Sequence, residues 1–384
     1  MSRGVQPSDR RRVPRSGAGI RVALCAPNAF KGTLSATTVA TALARGVEDA
    51  GWVARPLPVA DGGDGTLDVL LAAAGRRARV ERVRVHGPLG TARTARLGWT
   101  GAHAAVVELA EAAGLRLLGG RRSPMRATST GAGELLRAAL DRGARRVIVG
   151  VGGSASTDGG TGLLVALGAR VLDDRGRPVP PGGGGLGRVA AVELTPARAW
   201  LLGRAVHVAV DVRSPLHGPD GAAHVFAPQK GADPRQVERL DAGLRHFATV
   251  LERAAGMPGL ASHAGAGAAG GAAFALAALG ADLVSGAALV CDEVGLDGAV
   301  SRADLVITGE GRLDSQTAAG KAPAEVAHRA RRAGVPCVAV CGTVAGGEDL
   351  FAATIALDRL GEDPRRHARA LLRLAATRAV GMQT

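Results

Sequence analysis

The stretch DLVITGEGRLDSQTAAGKAPAEVAHRARRAGVPCVAVC, residues 304–341, decides the fold class. Residues 304–308 are a short apolar run and read as a buried strand. A glycine-rich polar loop covers 309–321. Apolar residues at helical spacing predict a helix over 323–332, which Gly334 ends. A second apolar run, 335–341, is the next strand. Strand, helix and strand in this order form a crossover unit, and crossover units build parallel sheets. The fold class is therefore α/β.

The same rhythm opens the chain. An apolar run over 20–26 leads through a loop, 27–34, to Ser35 as helix N-cap, and a helix to about residue 50 closes at Gly51. An extended segment over 53–60 ends in Asp61-Gly62-Gly63-Asp64-Gly65-Thr66, and a helix follows to Ala74. Three short segments at 80–85, 92–99 and 104–109 break the rhythm and suit antiparallel strands. It returns with a helix over 128–142, a strand over 146–150, the loop 152–160 and a helix to about 167. A strand over 205–210, a helix over 236–255 and a small-residue helix over 265–279 complete the reading.

The polar motifs follow the predicted strands. Asn28 and Lys31 come after the first, Asp61 and Asp64 after the second, Ser154 to Asp158 after 146–150, and Glu310 and Asp314 after 304–308. In an open α/β sheet the carboxyl ends of the strands share one edge, where ligands bind. Residues some 280 positions apart are thus expected in one cleft.

Lysine usage supports that expectation. Only Lys31, Lys230 and Lys321 are lysine among 48 basic residues, and each lies in a glycine-rich segment. Where composition has drifted so far towards arginine, a retained lysine marks a place for a compact ammonium, such as a phosphate-facing cation. The only asparagine, Asn28, lies beside Lys31.

The net charge of +14 does not make this a nucleic-acid binder: there are only eight aromatic residues, and the arginines are scattered rather than aligned in a stripe. Residues 1–19, with Arg10, Arg11, Arg12, Pro7, Pro14 and Gly17, read as a disordered tail without the apolar core of a secretory signal. No apolar span is long enough to cross a membrane. Cys25, Cys291, Cys337 and Cys341 show no CxxC pairing, and Cys25, Cys337 and Cys341 fall in predicted strands as small buried thiols. A cytoplasmic protein is expected.

Clustered carboxylates without histidine or cysteine favour a hard, oxygen-ligated cation such as Mg²⁺. Glycine loops opening onto helix N-termini favour phosphate. Lysines beside both complete the parts that phosphoryl transfer requires. There is no Walker A motif, because Ala322 follows Gly320-Lys321, and residues 150–155 miss the dinucleotide fingerprint. Ser154 and Ser156 have no histidine nearby in sequence, so phosphate or hydroxyl binding suits them better than a nucleophile's role.

At these loops the chain resembles the bacterial glycerate kinase family. The matching stretches are 26–36, 59–66, 128–134, 150–160, 211–221, 226–231, 265–271 and 308–321, so that only the tail lies outside. The resemblance implies ATP- and Mg²⁺-dependent phosphorylation of D-glycerate, generally to the 2-phosphate, with the 3-phosphate as the alternative. It also implies a Rossmann-like three-layer sheet domain with a second, smaller α/β domain and an active site between them. The expected division is 20–75, 125–175 and 295–384 for the first, and 76–124 and 176–294 for the second. Position 28 is often aspartate in the family and position 64 commonly glutamate; here they are Asn28 and Asp64.

Roles are expected as follows. Asp61 or Asp158 acts as base. Asp64, Glu310 and Asp314 hold Mg²⁺. Lys31 and Lys321 balance charge on glycerate and the γ-phosphate. Ser154, Ser156 and Thr157, with the N–H groups of Gly152 and Gly153, cradle phosphate. Lys230 closes over the substrate. Asn28, Gly62, Gly63, Thr66, Asp211, Gln229, Arg312 and Ser315 complete the binding set. A kinase for another small hydroxy acid is the nearest rival reading, and a nucleic-acid binder on a degenerate scaffold is the rival of a different class. A homodimer is the oligomeric state to test.

Overall fold

The computed structural model describes residues 20–314, 317, 320–361, 363–364 and 366–383. The arginine-rich tail and Ser315 lie outside them.

Two sheets organise the chain. The first has five parallel strands in the spatial order Ala353–Ala356, Cys337–Cys341, Leu305–Thr308, Val22–Cys25, Val53–Pro56. All four residues of Leu305–Thr308 are buried, which explains its unbroken apolar run. Helices Ala36–Asp49 and Ala368–Gly381 pack on one face through Val39, Leu43, Leu372 and Ala376. Helices Gly286–Glu293, Leu296–Val300 and Ala322–Arg332 cover the other through Cys291, Leu296 and Val326. The Ser35 hydroxyl accepts from the Thr38 N–H at 3.2 Å and starts the first helix where its sequence suggests. Strand order reverses between Val22–Cys25 and Leu305–Thr308. That reversal opens a crevice outside their carboxyl ends.

The second sheet runs Asp282–Ser285, Ala205–Val210, Arg146–Gly150, Ala104–Glu108, Ala92–Gly101, Arg79–His86. Its first four strands are parallel. Ala92–Gly101 is antiparallel to both its neighbours, so only this end has the antiparallel character expected for 80–109. Helices Thr130–Asp141 and Pro234–Ala255 contribute to its main core, beside Trp99, Leu135, Val149 and Phe247.

The expected domain division needs correction. Arg146–Gly150 hydrogen-bonds to Ala104–Glu108 and Ala205–Val210, so this strand of 125–175 lies in the second sheet and not in the Rossmann-like one. The transfer leaves the second unit with the larger apolar cluster. Helix Thr66–Ala74, placed with the first unit, lies between the two. Its Leu67 and Leu70 pack with Val106, Ile148 and Ala209 from one side and Ala36, Ala60 and Val290 from the other.

The helix expected over 265–279 is confined to Ala272–Ala278. Ala269 and Gly270 have left-handed φ of 53° and 65°, and Gly271 follows at 95°, which breaks the helix ahead of it. Strands Asp282–Ser285 and Ala353–Ala356 were not legible. Among the described residues no helix is long and apolar enough to cross a membrane. All four cysteines are buried, and burial pushes the Cys25, Cys291 and Cys341 thiols up to about 12.

Candidate active site

The crevice at the strand reversal is closed tightly at its base. The Asn28 N–H donates to the Gly309 carbonyl at 2.9 Å, joining loops 281 residues apart in sequence. A Cβ at position 309 would stand 1.7 Å from the Val340 carbonyl oxygen, so only glycine lets the chain turn out of Leu305–Thr308 here. The Asn28 side chain donates to Asp61 Oδ2 at 2.9 Å, and the Gly63 N–H donates to Asp61 Oδ1 at 3.3 Å. Asp61 is thus a buried anchor for its own loop. The Thr66 hydroxyl donates to the Gly63 carbonyl at 2.7 Å and locks the same turn.

The glycine loops of the two sheets lie back to back. Gly152 N–H donates to the Gly62 carbonyl at 3.1 Å. A Cβ on Gly152 would meet Gly63 Cα at 2.4 Å, and one on Gly62 would meet the Ala209 carbonyl oxygen at 2.4 Å. Gly152 is demanded by the approach of the facing loop, and Gly62 by the approach of strand Ala205–Val210.

Two cavities of about 580 and 570 Å³ open around this junction. The first lies between the sheets. Asn28, Lys31, Gly63, Asp64, Gly152, Gly153 and Asp211 line it, with the N-terminus of Ala36–Asp49 at its edge. Glu310, Arg312, Asp314 and Lys321 line the second, at the carboxyl ends of the first sheet and the N-terminus of Ala322–Arg332. Ala29, Phe30, Lys31 and Thr33 are common to both.

A sequence profile of the glycerate kinase family matches residues 23–370. The glycerate kinase of Bacillus subtilis is 44% identical over 84% of this chain and 85% of its own length. The glycerate 2-kinase of Escherichia coli is 38% identical over 93% of this chain and 98% of its own. The chain belongs to the glycerate kinase family. A crystal structure from Salmonella typhimurium LT2, provisionally named glycerate kinase 2, superposes with a TM-score of 0.82 at 38% identity, covering 95% of this chain and 99% of that one. Family membership makes the chain a kinase.

Several expected site residues of this glycerate kinase family member lie outside both cavities. Asp158 is fully buried and accepts five hydrogen bonds, from the Thr128 hydroxyl, the Ser129 N–H and hydroxyl, and the Gly160 and Gly162 N–H groups. It staples the start of Thr130–Asp141 to the loop before Thr161–Ala166 and is not placed as a base. Lys230 is buried rather than poised over the cleft. Its Nζ donates to Ser154 Oγ at 2.9 Å and to the Ser156 carbonyl at 2.5 Å. Ser156 Oγ and Thr157 Oγ1 are buried without a hydrogen-bond partner among the described residues, and neither residue lines these two cavities. Gln229 is exposed outside both. Asp61, Gly62 and Thr66 support the cavity wall from behind.

The expected metal set is divided. Asp64 lines the first cavity, whereas Glu310 and Asp314 line the second. Among the described residues no group of three or more metal-ligating side chains forms. Asp314 pairs instead with Lys321 at 3.6 Å and Arg312 at 3.8 Å.

The charges are interdependent. The carboxylate of Asp61, then those of Asp211, Glu310 and Asp64, raise the Lys31 pKa against the opposing effect of burial. Burial, then the charge of Asp61, pushes Asp211 up to about 6. Burial also raises Glu310, while the Thr317 hydroxyl donating at 2.5 Å opposes the rise.

The most informative residue absent from the sequence-derived set is Glu108. It ends strand Ala104–Glu108, lines the first cavity, and accepts from the N–H groups of Gly65 at 3.2 Å and Leu67 at 3.0 Å. It thereby occupies the N-terminus of helix Thr66–Ala74. Burial lifts it to about 7 despite those bonds. Arg96 and Arg116 line the same cavity and converge on Glu111 at 2.9 and 3.0 Å. The rule that ligands gather at strand ends finds Glu108 once applied to 104–108. The two arginines carry no such signal among 45.

Proposed function

We propose that this protein is a cytoplasmic glycerate 2-kinase, transferring the γ-phosphoryl group of ATP to the 2-hydroxyl of D-glycerate. The observation that carries the reading is the pair of adjoining cavities with Lys31 common to both. Phosphoryl transfer needs a donor and an acceptor held end to end, with a cation where they meet. ATP occupies the cavity of Glu310, Arg312, Asp314 and Lys321, its phosphates directed at Lys31. Glycerate occupies the cavity between the sheets, beside Asp211 and the two glycine loops. The choice of the 2-hydroxyl follows the printed name of the Escherichia coli relative.

The residues present suit Mg²⁺. This ion is commonly bound by one or two carboxylates together with substrate phosphates and water, not by an all-protein cage. Glu310 and Asp314, both on the donor cavity, would hold it, and it would neutralise charge on the phosphates. Lys321 and Arg312 orient the same phosphates.

The test is incubation of the purified protein with D-glycerate, ATP and Mg²⁺, with the product identified by phosphorus NMR. A 2-phosphoglycerate resonance is expected. The 3-phosphate would move the attacking hydroxyl, and no glycerate-dependent product would overturn the acceptor assignment and call for a panel of small hydroxy acids.

A further inference from the structure

We propose that Asp211 is the general base of the transfer, taking the proton of the acceptor hydroxyl as it attacks the γ-phosphorus. This rests on the acceptor occupying the cavity between the sheets, as proposed above. A base must reach the hydroxyl and must keep a lone pair free for its proton. Asp61 fails both requirements: it is 2% exposed, lines neither cavity, and has each oxygen engaged by a donor. Asp158 fails more completely, with no exposed surface and five donors. Glu108 spends its oxygens on the amides of Gly65 and Leu67. Glu310 and Asp314 lie on the donor side. Asp64 faces Arg116 at 3.9 Å, its side chain 44% exposed at the rim.

Asp68, also on the acceptor cavity, has both oxygens engaged by Arg96, at 2.6 and 3.4 Å. Asp211 is the remaining carboxylate there. It follows strand Ala205–Val210 directly, is half-buried and lines the acceptor cavity with Lys31. No other described residue donates a hydrogen bond to its carboxylate. The charged groups facing it are Asp61, Lys31 and Lys321. Burial and Asp61 lift its pKa to about 6, while the two lysines oppose the rise. At neutral pH it is therefore ionised, yet a stronger proton acceptor than an ordinary aspartate. The step balances with ATP as phosphoryl donor. The hydroxyl proton passes to Asp211, the acceptor oxygen bonds to the γ-phosphorus, and the bond from that phosphorus to the β-phosphate oxygen breaks. ADP leaves, and Asp211 returns the proton to water.

The experiment compares wild type, D211N and D211E as full chains. For D211N, kcat is expected to fall by about 10²- to 10⁴-fold, the usual contribution of a positioned base, with ADP affinity and the glycerate KM within about threefold. The acidic limb of kcat/KM, with its midpoint near 6 in wild type, should vanish in D211N and persist in D211E, with part of the rate recovered. A kcat for D211N within about threefold of wild type, or an unchanged acidic limb, would overturn the assignment. Should D211N fail to fold by circular dichroism, the wild-type and D211E profiles decide, since absence of the limb from both is equally fatal. A wild type without glycerate-dependent turnover overturns the functional reading and the assignment together. Loss confined to the variants concerns Asp211 alone.

Discussion

Lys31 and Lys230 stand out equally in the sequence, as two of three lysines in an arginine-rich chain, but the fold gives them opposite surroundings. Lys31 stands where two cavities meet, and the carboxylates of Asp61, Asp211, Glu310 and Asp64 all strengthen its hold on its proton. Lys230 is 3% exposed and bonded to a hydroxyl and a carbonyl. Burial pushes it down to about 8, with only Asp158 opposing. An ammonium open to a cavity stands exposed among fixed carboxylates. One kept for architecture is fixed among dipoles, tying strand-end loops together without touching what binds there.

The largest expected effect tests that division directly. K31M should lower turnover by about 10²- to 10³-fold, the scale of removing one preorganised electrostatic donor, with the melting temperature almost unchanged. K230M should cost turnover less than about tenfold, because it acts only through the Ser154–Ser156 loop. Equal losses in steady-state assays of the two variants would break the comparison.

Titration against stability sharpens it. The folded pKa of Lys230 is lowered from 10.5 to about 8, so the unfolded chain holds more protons between those values. Its contribution therefore makes stability rise with pH across that window, by about 2–3 kcal/mol. The difference in urea midpoint between wild type and K230M, measured at pH 8 and 10, should change accordingly. A constant difference would mean that Lys230 is solvated.

Glu108 provides the acidic counterpart. Its pKa is raised from 4.5 to about 7, so the folded chain holds the extra proton and this group makes stability fall as pH rises through that window. E108Q retains an acceptor for the Leu67 N–H and should flatten the decline by about 2 kcal/mol between pH 5 and 8 in thermal melts. An unchanged slope would remove Glu108 as its source.

The smallest effect concerns Asp61. In D61N the acidic limb assigned to Asp211 should move below pH 6 rather than disappear, because the charge that helped raise it is gone. Disappearance of the limb would return the role of base to Asp61.

Much of the scaffold was legible because periodicity and glycine stops are local. Strands 146–150 and 205–210 and helix Ala36–Asp49 lie where apolar runs and the Ser35 cap place them. The side of the cleft to which 146–150 belongs was not legible, since crossover rhythm does not say which sheet a strand joins. The loop residues show the same boundary. Asp158, Ser156 and Lys230 look like ligand groups in sequence because polar residues in glycine loops can face either a ligand or the interior. Glu108 is hidden in sequence because its segment reads as one of three antiparallel strands, whereas its other edge pairs in parallel with 146–150.

The sequence by itself determined an α/β chain, the gathering of polar loops at strand ends, and a composition suited to phosphoryl transfer. Each of these follows from residue type and short-range spacing. Only the tertiary structure decided which of those groups meet a cavity and which are consumed by the protein. Whether a carboxylate is a base or a staple depends on donors supplied from distant loops. Asp158 takes donors from Thr128 and Ser129, Asp61 from Asn28, and Asp211 from no other described residue.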